Sequence, residues 1–149
     1  MGRTAAGVRA IRLKDGDEVV AAVRATDEDA AVLTVTENGY GKRTHISEYS
    51  VQNRGGQGLK TYHITQKTGE IVGAKKVTGE EDILLVSDDG TIIRMEAGSI
   101  SLLGRATQGV RLMRPAEGAH VVAMARTERE ASEEETAEPG ESAVEITEE

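Results

Sequence analysis

An all-β fold, assembled from repeated units of about four short strands, is what this 149-residue sequence predicts. Three observations carry that prediction. The chain repeats itself at an offset of 51 residues, with arginine at 3, 54 and 105 and glycine at 7, 58 and 109. Asn38-Gly39 and Asp89-Gly90 share that offset, each behind a β-rich run, and such pairs supply the positive-φ residues that tight hairpins need. Apolar stripes of helical period are absent from residues 1–126. Four strands per ~50 residues is the period of propeller-type blades.

The run Gly2-Arg3-Thr4-Ala5-Ala6-Gly7-Val8-Arg9 opens the chain. It recurs as Asn53-Arg54-Gly55-Gly56-Gln57-Gly58-Leu59-Lys60 and as Gly104-Arg105-Ala106-Thr107-Gln108-Gly109-Val110-Arg111. Strands are predicted at 31–36 and 83–87, each leading into a hairpin turn, and then at 41–46 and 91–95. The Gly-Arg loop comes next, followed by a strand at 59–64 or 110–113. A turn, Lys67-Thr68-Gly69 or Pro115-Ala116-Glu117-Gly118, leads to a last strand at 71–77 or 120–125. A short helical turn is expected over 99–103. The units are then a half blade at 1–26, complete blades at 27–77 and 78–126, and a tail at 127–149. The chain opens inside a repeat, so it is expected to be the end of a longer protein and to form an incomplete ring.

Composition narrows the chemistry. With no Phe or Trp and three Tyr, the core must be built from Val, Ile, Leu, Ala and Met. The absence of Cys excludes thiolate catalysis and cysteine zinc sites, and His45, His63 and His120 stand at no metal-binding spacing, so no metal site is expected. No apolar run approaches the ~18 residues of a membrane helix, and no signal-peptide core is present, so a cytoplasmic protein without membrane partners is expected. The net charge of −8 is unevenly spread. Residues 127–149 hold ten Glu and one Arg, which leaves the body at +1. The tail, rich in Glu, Ala, Ser and Thr, is expected to be disordered and to compete with an anionic partner.

Asn38-Gly39-Tyr40-Gly41-Lys42-Arg43-Thr44, the opening Met1-Gly2-Arg3-Thr4-Ala5-Ala6-Gly7-Val8 and the loop Gly104-Arg105-Ala106-Thr107-Gln108-Gly109-Val110 carry a resemblance. They resemble, in order over residues 1–126, the C-terminal domain of the bacterial DNA gyrase A subunit, many members of which also end in an acidic tail. The resemblance implies a β-pinwheel, a propeller-like ring whose blades exchange strands and around whose basic rim DNA wraps. It covers the last two and a half blades. The stretch Gln52-Asn53-Arg54-Gly55-Gly56-Gln57-Gly58 resembles a degenerate gyrase box, the hallmark Gln-Arg-Arg-Gly-Gly-Lys-Gly of the first blade. Asn53 and Gln57 replace two of its cations. The family further implies a nucleoid-associated setting and no cofactor in this chain. The partners it implies are double-stranded DNA, the rest of the gyrase A subunit, and the gyrase B subunit. ATP and Mg would belong to other parts of the holoenzyme, as would the DNA-cleaving tyrosine; Tyr40, Tyr49 and Tyr62 are read as packing or rim residues.

The residues themselves suit a DNA backbone. Glycine lets the main chain approach a phosphate closely, and arginine adds a planar fork matched to its oxygens. Repeating that loop along a curved scaffold spaces phosphate contacts for a bend, with little base reading. No recognition helix or aromatic stacking platform is visible, so charge-driven, salt-dependent duplex binding is expected. The candidate contacts are Arg3, Arg54 and Arg105 in the loops, then Arg9, Lys60 and Arg111 just after them, then Lys42, Arg43 and Arg94 on the strand after the hairpin turn. Surface cations also serve simply to solvate an exposed face and to pair with carboxylates; recurrence favours function for the three loop arginines. The expected role is to bind and bend duplex DNA in support of ATP-dependent negative supercoiling by a whole enzyme, with no catalytic residues in this chain. The C-terminal domain of topoisomerase IV and a propeller-like protein-interaction module are the alternatives, and an enzyme using a propeller channel ranks lowest.

Overall fold

The computed structural model describes residues 3–26 and 29–129. Two antiparallel sheets pack face to face. Their strands are β1 (Ala31–Thr36), β2 (Tyr40–His45), β3 (Ile71–Val77), β4 (Glu81–Ser87), β5 (Ile92–Glu96), β6 (Val110–Arg111) and β7 (Val121–Glu128). The first sheet runs β3-β1-β2-β6 and the second β5-β4-β7. The expected tail lies outside the described residues beyond Arg129, and the strand that precedes it runs two residues past the expected boundary at 126.

Each hairpin forms where the turn chemistry allows it. Gly39 adopts φ 88° and donates its amide to Thr36 O at 3.1 Å; Gly90 and Ser87 O repeat that bond 51 residues on, also at 3.1 Å. A left-handed residue at this point matches the right-handed twist of the strands, and glycine takes it without steric cost. Repetition extends to irregularities. The β1–β3 ladder shifts register between Val35 and Thr36, and the β4–β7 ladder shifts between the equivalent Val86 and Ser87. A 3-10 turn follows each hairpin, at Ile46–Glu48 and at Ala97–Ser99. The helical turn expected over 99–103 is therefore the shorter Ala97–Ser99, and the chain leaves it extended to run beside Arg43.

Alternation builds the core. Ala31, Leu33 and Val35 point from β1 toward the second sheet and meet Ile83 and Leu85 of β4, with Val77, Ala97, Ile100, Met113 and Val121 completing the cluster. Leu33, Val35, Ile83 and Leu85 are fully buried, and truncating Leu33, Ile83 or Leu85 to Ala costs about 2–5 kcal/mol. As composition requires, the cluster holds only Val, Ile, Leu, Ala and Met.

Strand exchange separates the sheets from the sequence units. β6 belongs to the unit 78–126, yet it pairs with β2 of the preceding unit, Tyr40 opposite Arg111 and Gly41 opposite Val110. The same edge of β2 is covered further along by 101–103: Arg43 N donates to Ser101 O at 2.9 Å and Leu103 N to Arg43 O at 2.8 Å. Two expectations are corrected. The strand at 110–113 is only Val110–Arg111, and 59–64 is extended without forming a strand. Residues 3–26 likewise contribute no sheet strand; they touch the next unit through an isolated bridge between Ile11 and Gly56.

Candidate nucleic-acid interface

The second and third Gly-Arg loops are each docked onto a segment of the unit before them. Gly56 O accepts the amide of Arg12 at 2.7 Å; 51 residues later Thr107 O accepts the amide of His63 at 3.0 Å. Gly55 N, at φ 81°, adds a bond to Ala10 O at 2.9 Å. Main-chain bonds thus hold both loops, and in the second of the three they leave the Arg54 side chain available.

How available differs from one to the next. Arg3, Arg9, Arg54 and Lys60 are exposed, with no side-chain hydrogen bond or ion pair among the described residues. In the degenerate box, Gln52 bonds Ser50 Oγ at 2.9 Å, and Asn53, Gly56, Gln57 and Gly58 are exposed beside Arg54. Arg105 is half-buried and donates Nη1 to Lys60 O at 2.9 Å, which ties one loop to the residue following the other. Arg111 donates Nη2 to the Tyr40 hydroxyl at 2.8 Å.

The three strand cations are largely spent inside the protein. Arg43 donates Nε to Ile100 O at 2.7 Å and Nη2 to Gly98 O at 3.2 Å, clamping the Ala97–Ser99 turn. Arg94 pairs Nε with the buried Asp82 at 2.8 Å and donates Nη2 to Glu128 O at 2.9 Å. Lys42 is a clear correction: its side chain is fully buried rather than turned to the surface. Its ammonium donates to Gly104 O and Arg105 O, both at 2.7 Å, and to Thr107 O at 3.0 Å and Thr107 Oγ1 at 3.1 Å. It also lies 4.6 Å from the centre of the Tyr62 ring. Burial draws the Lys42 amine down to about 8; Arg105 acts in the same direction and Glu48 opposes. Lys42 therefore pins the following Gly-Arg loop from below. Gly109, at φ 77°, closes that loop where a Cβ would meet Gly41 O at 2.6 Å.

Sequence reasoning misses this pin because a lysine on a strand reads as a surface charge. A signal was present: the position 51 residues on is Ile93, an apolar residue that packs against the core cluster. Of the tyrosines read as packing or rim residues, Tyr40 and Tyr62 are buried, 6% and 3% exposed, and Tyr49 is half-buried. Burial alone would push the Tyr40 phenol up, but the bond and charge of Arg111 and the charge of Lys67 outweigh it and bring it below its usual range. Burial pushes the Tyr62 phenol up. Among the described residues no group of acidic and imidazole side chains could hold a metal ion, and no helix is long and apolar enough to cross a membrane.

Blade-like antiparallel sheets that trade a strand across the repeat boundary, each followed by a docked Gly-Arg loop, define a propeller-type repeat domain with a cationic loop series. The model of the DNA gyrase C-terminal domain, beta-propeller, matches residues 1–26, 30–78 and 81–128, and the chain belongs to that family. Curated relatives include the DNA gyrase A protein of Staphylococcus epidermidis, 51% identical over 131 residues, covering 87% of this chain and 15% of the relative. Its counterpart in Staphylococcus aureus (strain MRSA252) is 49% identical over 138 residues, covering 90% of this chain and 15% of the relative. This chain thus spans about 15% of the length of those relatives. A solved DNA gyrase A C-terminal domain matches with a TM-score of 0.62 and 33% identity, covering 65% of this chain and 33% of that one. The crystal structure of the C-terminal domain of DNA topoisomerase IV matches with a TM-score of 0.75 over 82% of this chain and 38% of that one; at 22% identity it speaks to the fold alone.

Proposed function

We propose that this chain binds duplex DNA along its phosphate backbone and bends it, as the DNA-wrapping portion of a gyrase A protein. One observation carries the reading: Gly-Arg loops recur at one offset, the second and third are held by the same main-chain bond, and Arg54 and Lys60 present exposed cations whose side chains have no partner among the described residues. Contacts of that kind position a duplex without reading bases. About half identity to gyrase A proteins favours gyrase over topoisomerase IV.

In this reading the bend presents a DNA segment to the remainder of gyrase A and to gyrase B, where cleavage and ATP- and Mg-dependent steps take place. The chain itself supplies shape and charge, needs no cofactor and acts at the nucleoid in the cytoplasm. The glutamate-rich tail competes for the same cations and weakens binding.

The test uses a duplex of ~40 base pairs carrying a donor and an acceptor dye at its ends, well below the ~150-base-pair persistence length, so that it is nearly straight when free. Binding by the chain, and more tightly by a version ending after Arg129, brings the dyes closer. A folded chain that leaves the duplex straight at low salt overturns the reading.

A further inference from the structure

Two cations meet on one buried tyrosine. Tyr40 opens β2, and Arg111 of the exchanged strand β6 bonds its hydroxyl and sets Cζ 4.7 Å from its ring centre. Lys67, in the turn before β3, places Nζ 5.5 Å from the same centre. Among the described residues neither cation lies within ion-pair distance of a carboxylate. Arg111 uses one of its five N–H donors on Tyr40 and keeps the rest. The turn bearing Lys67 is held rigid by Asn38, whose Nδ2 donates to Gln66 O and Lys67 O at 3.2 Å and whose amide donates to Thr68 O at 3.1 Å. A depression of about 290 Å³ opens beside them, lined by Asn38, Lys67, Arg111, Ala119 and His120. Asp88 faces His120, 3.9 Å from its Nδ1.

Like charges gathered without a counter-ion repel, and the tyrosine face offsets only part of that. We propose that Lys67 and Arg111, braced on Tyr40, form a seat for one phosphate group, filled by a phosphodiester of a bound duplex. The seat rests on the duplex reading and extends it to Lys67. It also straddles the seam between two units, because Lys67 and Tyr40 come from one and Arg111 from the other. An occupied seat therefore fastens a two-residue strand that has few ladder bonds of its own.

Lys67→Met, in the full chain, tests this at an exposed position. The variant melts as the wild type does, and its plot of log K against log salt is shallower by about 0.9. Between 50 and 200 mM salt the wild type consequently loses about 3–4-fold more affinity than the variant. Lys67→Arg restores the slope. A folded Lys67→Met with the wild-type affinity and slope overturns the seat. If the wild type binds no duplex even at 50 mM salt, the duplex reading itself fails. Inorganic phosphate then decides the seat: shifts of the Tyr40 ring resonances in the wild type but not in Lys67→Met keep it as a phosphate site, and no shift in either overturns it.

Discussion

Lys42→Met separates a buried pin from a phosphate contact. Methionine keeps the apolar stem and removes the ammonium. Of the acceptors released, Gly104 O retains the Thr107 hydroxyl at 2.9 Å and Thr107 O retains the His63 amide at 3.0 Å. Arg105 O is left stranded among the described residues. One stranded carbonyl costs about 1–3 kcal/mol, and the lost charge-assisted bonds about 1.5–3 kcal/mol more. Relief from burying a charge offsets part of this. The net expectation is a loss of about 2–4 kcal/mol, a large share of the ~5–15 kcal/mol that holds a domain together. For a chain of this size that lowers the melting temperature by roughly 5–15 °C. The assay is urea and thermal unfolding followed by circular dichroism, with Lys60→Met as the exposed control, expected within about 0.5 kcal/mol of wild type. A Lys42→Met protein as stable as that control, with a salt slope for duplex binding shallower by about 0.9, would refute the pin and restore Lys42 as a phosphate contact.

Other positions give independent tests. Arg54→Gln makes the salt slope of duplex binding shallower by about 0.9 with stability unchanged within ~0.5 kcal/mol, read by gel shift and urea melts. Gly109→Ala places a methyl against Gly41 O and forces a left-handed backbone on alanine, so it destabilises by at least ~2 kcal/mol in urea unfolding. Glu81 accepts the amides of Thr78 and Gly79; burial alone would raise its carboxyl, yet these bonds outweigh burial and hold it below its ordinary 4.5. Because the folded value is the depressed one, its stabilisation is present above pH 4.5 and fades as pH falls below that. Acid unfolding of Glu81→Gln is accordingly less steep in that range than that of the wild type.

Much of this fold is legible in the sequence. Turn glycines at 39 and 90 and alternation in 31–36 and 83–87 are local signals, and the hairpins appear where those signals place them. The outer strands expected at 71–77 and 120–125 form at 71–77 and 121–128, the second running three residues further than the repeat places it. What is not legible is pairing between units. β6 pairs with β2 about 70 positions away, and nothing in Val110-Arg111 encodes that partner. The segment 59–64 carries the same β-rich composition yet finds no ladder among the described residues, so composition overstates it. Among the candidate contacts, Arg3 and Arg54 are exposed and Arg105 is half-buried, whereas Lys42, Arg43 and Arg94 look identical to surface charges until their partners, 12 to 65 residues distant, are seen.

The most direct measurement is the salt dependence of duplex affinity, taken for the full chain and for a version ending after Arg129, which keeps β7 and the Arg129 bond to Gly79 O at 3.0 Å. Backbone recognition by the exposed cations predicts a straight plot of log K against log salt with a slope of roughly −3 to −5, and tighter binding once the tail is removed. A flat plot, or a tailless protein that is folded and still binds no duplex at 50 mM salt, would contradict it.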